Sequence, residues 1–109
     1  MLQAREADVG SVDAIIAALY ESISGEKGEA RDYDRLRGLF AADARMMKLD
    51  ADSLRTRSVD DYIATSGPLL EADGFHEREV ARTTEAYADI VHAFSTYEAR
   101  NAIGARLFC

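Results

Sequence analysis

GFHEREVARTTEAYADIVHAFSTYEAR, residues 74–100, is the longest run of period-two alternation in the chain and predicts two long strands. Ala88-Asp89 supplies a two-residue loop between them, which sets Thr83 opposite Phe94, Val80 opposite Tyr97 and Ala86 opposite Val91. In that register Glu85 lies beside His92 and Glu77 beside Arg100, opposite-charge pairs of the kind that fix strand pairing. The segments upstream read as helices that supply the apolar surface for this hairpin to cover.

Composition narrows the class. A chain of 109 residues, 48% apolar and 30% charged, has the make-up of one soluble globular domain, residues 1–109, with a single core. Its 20 acidic against 13 basic residues leave a net charge of -7, which argues against a nucleic-acid surface, since that needs a basic stripe. The same charge disfavours an anionic membrane, and no apolar run approaches the ~18 residues of a spanning helix. MLQAREADVG at the N-terminus lacks the apolar core of a secretion signal, so a cytoplasmic location is expected. Cys109 is the sole cysteine, which leaves no internal disulfide or cysteine-based metal cluster, and His76 and His92 are too few for an ordinary zinc site. No metal and no cofactor is expected.

Residues 1–10 read as a frayed, polar lead-in. Val12, Ile15, Ile16, Leu19 and Ile23 then form a one-sided helical stripe, with Ser11 as N-cap and Gly25 as stop; Ile16 and Leu19 are expected to be buried. After the loop SGEKGEAR (24–31), Asp32 caps a second helix that carries Tyr33, Leu36, Leu39 and Phe40 down to Asp43. Ala44–Leu49 and Leu54–Arg57 read as short strands about a turn at Asp50-Ala51-Asp52. Ser58-Val59-Asp60-Asp61 resembles a capping box and opens a third helix, with an interruption expected at Gly67-Pro68 and an end at Gly74. Helices followed by a long hairpin predict an α+β layer fold, three N-terminal helices against one face of a curved antiparallel sheet.

The expected hairpin has two faces, one through Phe75, Glu77, Glu79, Glu98 and Phe94, the other through Arg82, Ser95 and Tyr97. Neither is purely apolar, a bulge would exchange them midway, and which one lines the concave side stays open. Glu79 opposite Glu98 is the sharpest chemical feature, because adjacent carboxylates raise one pKa and so prepare a general acid or base. The bland alternative is a solvated pair relieved by Arg78, Arg82 or Arg100. His92 beside Glu85 is either an oriented acid–base pair or a surface ion pair near the turn. Tyr33, Tyr62, Tyr97 and Phe94 are candidate pocket walls, and Met46-Met47 is core filler.

DYDRLRGLFAADARM (32–46), SVDDYI opening the third helix, and the paired strands GFHERE…FSTYEAR within Gly74–Arg100 together resemble the nuclear transport factor 2-like superfamily, closest to its SnoaL-like bacterial domains. The resemblance implies a cone-like sheet, homodimerisation through that sheet, and a fold shared by isomerases, cyclases, dehydratases and pure binders. It also implies two further strands beyond Cys109, so the final strands of the cone are expected to be missing here. Ala41-Ala42-Asp43 departs from the His-Pro-Asp common in relatives, which removes a polar contribution from that corner. In the ketosteroid isomerase branch a helix-one tyrosine donates to an oxyanion. Tyr20 stands in a broadly similar place, the alternative being a core tyrosine with a satisfied hydroxyl.

Three functions are carried forward: a binder of a small apolar molecule, a cofactor-free isomerase or lyase using Glu79, Glu98, His92 and Tyr20, and a protein-interaction module. The missing strands give a further expectation. The strand Ile90–Arg100 would keep a long unpaired edge, so residues 1–109 should self-associate or melt weakly. Size-exclusion chromatography with light scattering, followed by thermal melting, checks this; a monodisperse monomer with a sharp, high melt contradicts it.

Overall fold

The computed structural model describes residues 5–101 and 106–108. Ser11 caps the helix predicted for it: its hydroxyl accepts the Ala14 N–H at 3.0 Å, and the helix ends at Ile23. A shorter helix, α1 (Glu6–Val9), precedes this α2 (Val12–Ile23), where a frayed lead-in was expected. Asp8 is the reason. Arg35 donates to both its oxygens at 3.0 Å, which anchors residues 5–9 to the next helix and holds the Asp8 carboxyl below its usual range. Residues 1–4 lie outside the described part.

Asp32 caps α3 (Tyr33–Gly38) by accepting the Arg35 N–H, but α3 stops well before the expected Asp43. Gly38 weakens the turn there, and the Leu39 and Phe40 N–H groups tighten back onto Leu36 and Arg37 carbonyls three residues earlier. The two short strands form as predicted, β1 (Arg45–Asp50) and β2 (Ser53–Ser58), antiparallel about Ala51-Asp52. They make a sheet of their own rather than joining the long hairpin. Ser58 caps α4 (Val59–Asp73) by accepting the Asp61 N–H at 3.0 Å. The interruption expected at Pro68 does not occur. Pro68 and Ala64, whose carbonyl loses its helical partner, are both exposed, so water replaces that bond and the helix continues. Gly74, at φ 71°, turns the chain out of α4 in a conformation that suits glycine.

The second sheet has the order β3-β4-β5, built from β3 (Phe75–Tyr87), β4 (Ile90–Asn101) and β5 (Arg106–Phe108). From the turn back to Ala81↔Thr96 the register is the predicted one, with Ala88 at φ 50° carrying the turn's left-handed residue. Val80 then bulges, and the pairing resumes one residue out of step: Glu79↔Tyr97, Arg78↔Glu98, Glu77↔Ala99 and His76↔Arg100. The expected pairs Val80/Tyr97, Glu77/Arg100 and Glu79/Glu98 are therefore not formed. The shift replaces two carboxylates face to face with an arginine opposite a glutamate, and it exchanges the faces of β3 beyond the bulge.

Ile23, Leu36, Val59, Ile63 and Leu70 form the core, with Leu19, Tyr33, Phe40, Tyr62 and Phe75 packed against it. Ile16 and Leu19 are half-buried, not buried as expected; the fully buried Ala18 sits innermost and lets α2 approach its neighbours closely. Gly67 serves the same purpose in α4, where a Cβ would come within 2.9 Å of the Tyr33 hydroxyl. Residues 83–94, the far half of the hairpin, are exposed throughout, with Tyr87, Ile90 and Phe94 among them.

Arg31, read from sequence only as the end of a charged loop, is 6% exposed. Its guanidinium donates to the carbonyls of Ile23 (3.1 Å), Glu26 (3.2 Å), Glu29 (2.5 Å), Gly25 (3.0 Å) and Leu70 (2.6 Å), one for each of its five N–H groups. Ile23 ends α2 and Leu70 lies in the last turn of α4, so one cation meets the negative ends of two helices. Arg31→Met would leave these carbonyls buried without donors and cost about 3–5 kcal/mol. Arg31→Lys should recover only part, because a point charge with three donors cannot span the fork. Urea midpoints of the three proteins measure this, and an unchanged midpoint for Arg31→Met would place the residue outside the stabilising framework.

Candidate functional site

The site lies where the end of α2 is stitched to the start of β3. Gly25 and Phe75 exchange backbone bonds at 2.7 and 2.9 Å. One residue earlier, the Ser24 hydroxyl donates to the Tyr20 carbonyl at 2.8 Å and accepts the Glu77 N–H at 3.0 Å. Tyr20 and Glu77 are thus held in a fixed relation by a single serine at the helix C-cap.

The Val80 bulge assembles the rest. Before it, Glu77 and Glu79 face the helices; after it, Arg82 does, together with Ser95 and Tyr97 from β4. The Tyr20 hydroxyl lies 2.7 Å from Ser95 Oγ, and the Tyr20 and Tyr97 rings are tilted at 48° with centroids 6.0 Å apart. Ser95 donates to Glu79, Arg82 grips the same carboxylate through Nε and Nη2, and Arg82 Nη1 reaches Asp13 at 2.5 Å. Arg82 and then Ser95 hold the Glu79 carboxyl below its usual range, so it is an ionised acceptor. Ser95 must then spend its one proton on Glu79, and Tyr20 must spend its own on Ser95. The hydrogen bonds run in one direction, from Tyr20 through Ser95 to Glu79.

Glu77 has the opposite environment. Its backbone is fixed by Ser24, while among the described residues no hydrogen bond or ion pair meets its side chain, and burial pushes its pKa from the ordinary 4.5 up to about 7. It borders a cleft of about 240 Å³ shared with Tyr20, Ile16, Glu79 and Arg82. Burial and then the Glu77 charge raise the pKa of Tyr62 and Tyr97, and burial does the same for Tyr20, whose Ser95 bond opposes it. The arrangement can hold or exchange a proton at Glu77 near neutral pH in a partly dry cleft.

The structure brings Tyr20, Glu79 and Tyr97 together and disperses the other candidates. Glu98 faces Arg78 and binds Arg100 Nε at 2.5 Å. His92 does pair with Glu85 across the strands, but both are exposed near the turn. Phe94 is 60% exposed, on the strand face opposite Ser95 and Tyr97. Tyr33 donates to Glu71 at 2.7 Å, and burial and then Glu71 push its pKa up to about 12, which makes it a core tie. Tyr62 packs against the core, near enough to Glu77 to feel its charge. Among the described residues, no group of three or more His, Cys, Asp or Glu side chains is placed to hold a metal ion. Searches of protein-family models, curated proteins and solved structures return no match to this chain.

Glu77 and Ser95 are the site residues that sequence reasoning passed over. The unshifted register paired Glu77 with Arg100 and so disguised it as a neutralised strand charge. A signal was present, since that register set two glutamates face to face, a contact that costs energy and calls for a shift.

Between pH 4.5 and about 7 the folded chain keeps a proton on Glu77 that the unfolded chain has released. Raising the pH through this window therefore favours unfolding. Allowing for partial exposure, about 1–2 kcal/mol should be lost and stay lost above it. Glu77→Gln should remove this slope and be the more stable protein at about pH 8. Paired urea titrations across the window decide it; parallel curves for the two proteins would return Glu77 to an ordinary surface carboxylate.

Proposed function

We propose that this chain binds a small, largely apolar molecule in the cleft between α2 and the β3–β4 sheet, with Glu77 reading the polar end of that ligand. One observation carries the reading: a glutamate without a side-chain partner, raised to about 7 by burial, borders a cleft of about 240 Å³. A fold gains no stability from such a group, so its role lies in what it meets there. The α+β layer order supports a nuclear transport factor 2-like domain with a cone-like sheet. Exposed Tyr87, Ile90 and Phe94 support a homodimer through the sheet, as part of the same proposal. No helix among the described residues is long and apolar enough to cross a membrane; a cytoplasmic location belongs to this proposal.

A second reading is favoured by the same carboxyl. A base titrating near neutrality is suited to abstracting a proton next to a carbonyl, the chemistry of a cofactor-free isomerase or lyase. Glu77 is the base in that case. Glu79 is not, since Arg82 and Ser95 hold it ionised. The Tyr20 hydroxyl already donates its hydrogen bond to Ser95, which weakens it as an oxyanion donor.

Indole, uncharged and small enough for the cleft, separates these ideas from an interaction module. Followed by NMR, it should shift Tyr20 and Glu77 resonances saturably. Shifts confined to Tyr87 and Phe94 would move the binding surface to the hairpin tip and end the cleft reading. Deuterium exchange into a small ketone, fast with the parent and slow with Glu77→Gln, would select the enzyme.

A further inference from the structure

The electrostatics around Glu77 point to the charge of the ligand, given the cleft reading above. Two guanidinium groups near the α2 side of the cleft, Arg82 in its lining and Arg35 through its bond to the lining residue Glu21, are each already shared by two carboxylates. Arg82 binds Glu79 and Asp13, and Arg35 binds Asp8 and Glu21. Each set is left one charge negative. Arg78, between Glu77 and Glu79 on the strand, also borders the cleft, from an exposed position opposite Glu98 in register. Glu77 adds a further negative charge when ionised.

Tyr20 in the lining and the rings near it fit the same sign. Ala99 is the register partner of Glu77, which makes Tyr97 its diagonal neighbour on the helix-facing side of the sheet. Tyr20 stands against Tyr97 from α2, and Tyr62 comes from α4. Aromatic faces carry the negative lobe of the ring quadrupole and attract cations. The lining of the cleft holds three carboxylates, Glu21, Glu77 and Glu79, against two guanidinium groups, Arg78 and Arg82, so an anionic ligand, or an enolate formed from a neutral one, would meet a net negative surface once Glu77 is ionised.

We infer that the cleft takes an organic ammonium, an amine or quaternary nitrogen on a small apolar body, with ionised Glu77 as its counter-ion and the faces of Tyr20 and Tyr97 beside it. Binding supplies the partner that the Glu77 carboxylate lacks in the empty protein, so it also releases the proton held there. Affinity for such a ligand therefore rises with pH through the titration of Glu77. The other titratable groups facing Glu77 do not reverse this. Glu79 stays ionised through that range, and burial keeps the three tyrosines protonated. Glu21 is bound to Arg35, and in the adjoining cleft Glu98 is bound to Arg100. His76, at the outer rim, pairs with Glu26 at 3.6 Å.

Phenyltrimethylammonium, its uncharged carbon isostere tert-butylbenzene, and benzenesulfonate test this on the 109-residue chain. Binding is read from the ring resonances of Tyr20, Tyr62 and Tyr97. At about pH 8.5 the ammonium should bind about tenfold tighter than the isostere, and at about pH 5.5 most of that advantage should vanish. Glu77→Gln should show the small advantage at both values. The pH comparison on the parent protein carries the test even where the variant is poorly folded. Equal binding of tert-butylbenzene at the same tyrosines would overturn the ammonium inference and leave the apolar-cleft reading standing. So would an ammonium preference unaffected by pH and by Glu77→Gln, since Glu77 would not then be the counter-ion. Tightest binding by benzenesulfonate would reverse the sign of the site. Absence of a shift with all three probes would remove both the inference and the cleft reading.

Discussion

Arg31 ties together the end of α2, the loop that follows it and the last turn of α4. Its five N–H groups end on five carbonyls drawn from α2, from the loop that follows it and from α4. Carbonyls at helix ends have no partner within the helix, and burying them without one costs free energy. A planar fork with a delocalised, weakly hydrated charge meets that demand better than any other side chain. Because Gly25 and Ser24 sit inside the loop that Arg31 holds, the bonds from Gly25 to Phe75 and from Ser24 to Glu77 depend on it in turn. The position of Glu77 is thus linked to a buried cation that does not touch it.

The bulge at Val80 is the second constraint, and its consequences are electrostatic. One extra residue in β3 lets Glu79 and Arg82 share the helix-facing side, although strict alternation would place them on opposite faces. That proximity locks Glu79 as an ionised anchor and leaves Glu77, two residues away, as the carboxyl without a salt-bridge partner. Two glutamates on one strand so receive opposite pKa shifts from their surroundings, which is the usual way a fold separates a fixed charge from a titrating one. Ser95 connects the anchor to Tyr20 and determines which way the tyrosine proton points.

Local signals in the sequence settled the elements whose causes are themselves local. Ser11, Asp32 and Ser58 cap the helices they were expected to cap, and Ala88-Asp89 turns the hairpin. β1 and β2 followed from the short segments on either side of the turn at Asp50-Ala51-Asp52. Caps, turns and alternation depend on a few neighbouring residues, so they are written within a short window of sequence. The α+β class follows from the order of those elements. Pro68 shows the limit of the same logic: its effect depends on whether the carbonyl it frees is wet, and burial is not a local property.

What only the tertiary structure decided depends on distant partners. Arg31 reads as one more charge in a polar loop until two helix ends converge on it. Asp8 orders its segment only because Arg35 lies beside it in space. The slip at Val80 required the energies of several cross-strand pairs to be compared at once, and on that slip rest the separation of Glu79 from Glu98 and the exposure of Glu77 to the cleft. A one-residue change of register moves every side chain beyond it to the other face, so an alternation pattern alone leaves the site undetermined while leaving the strands intact.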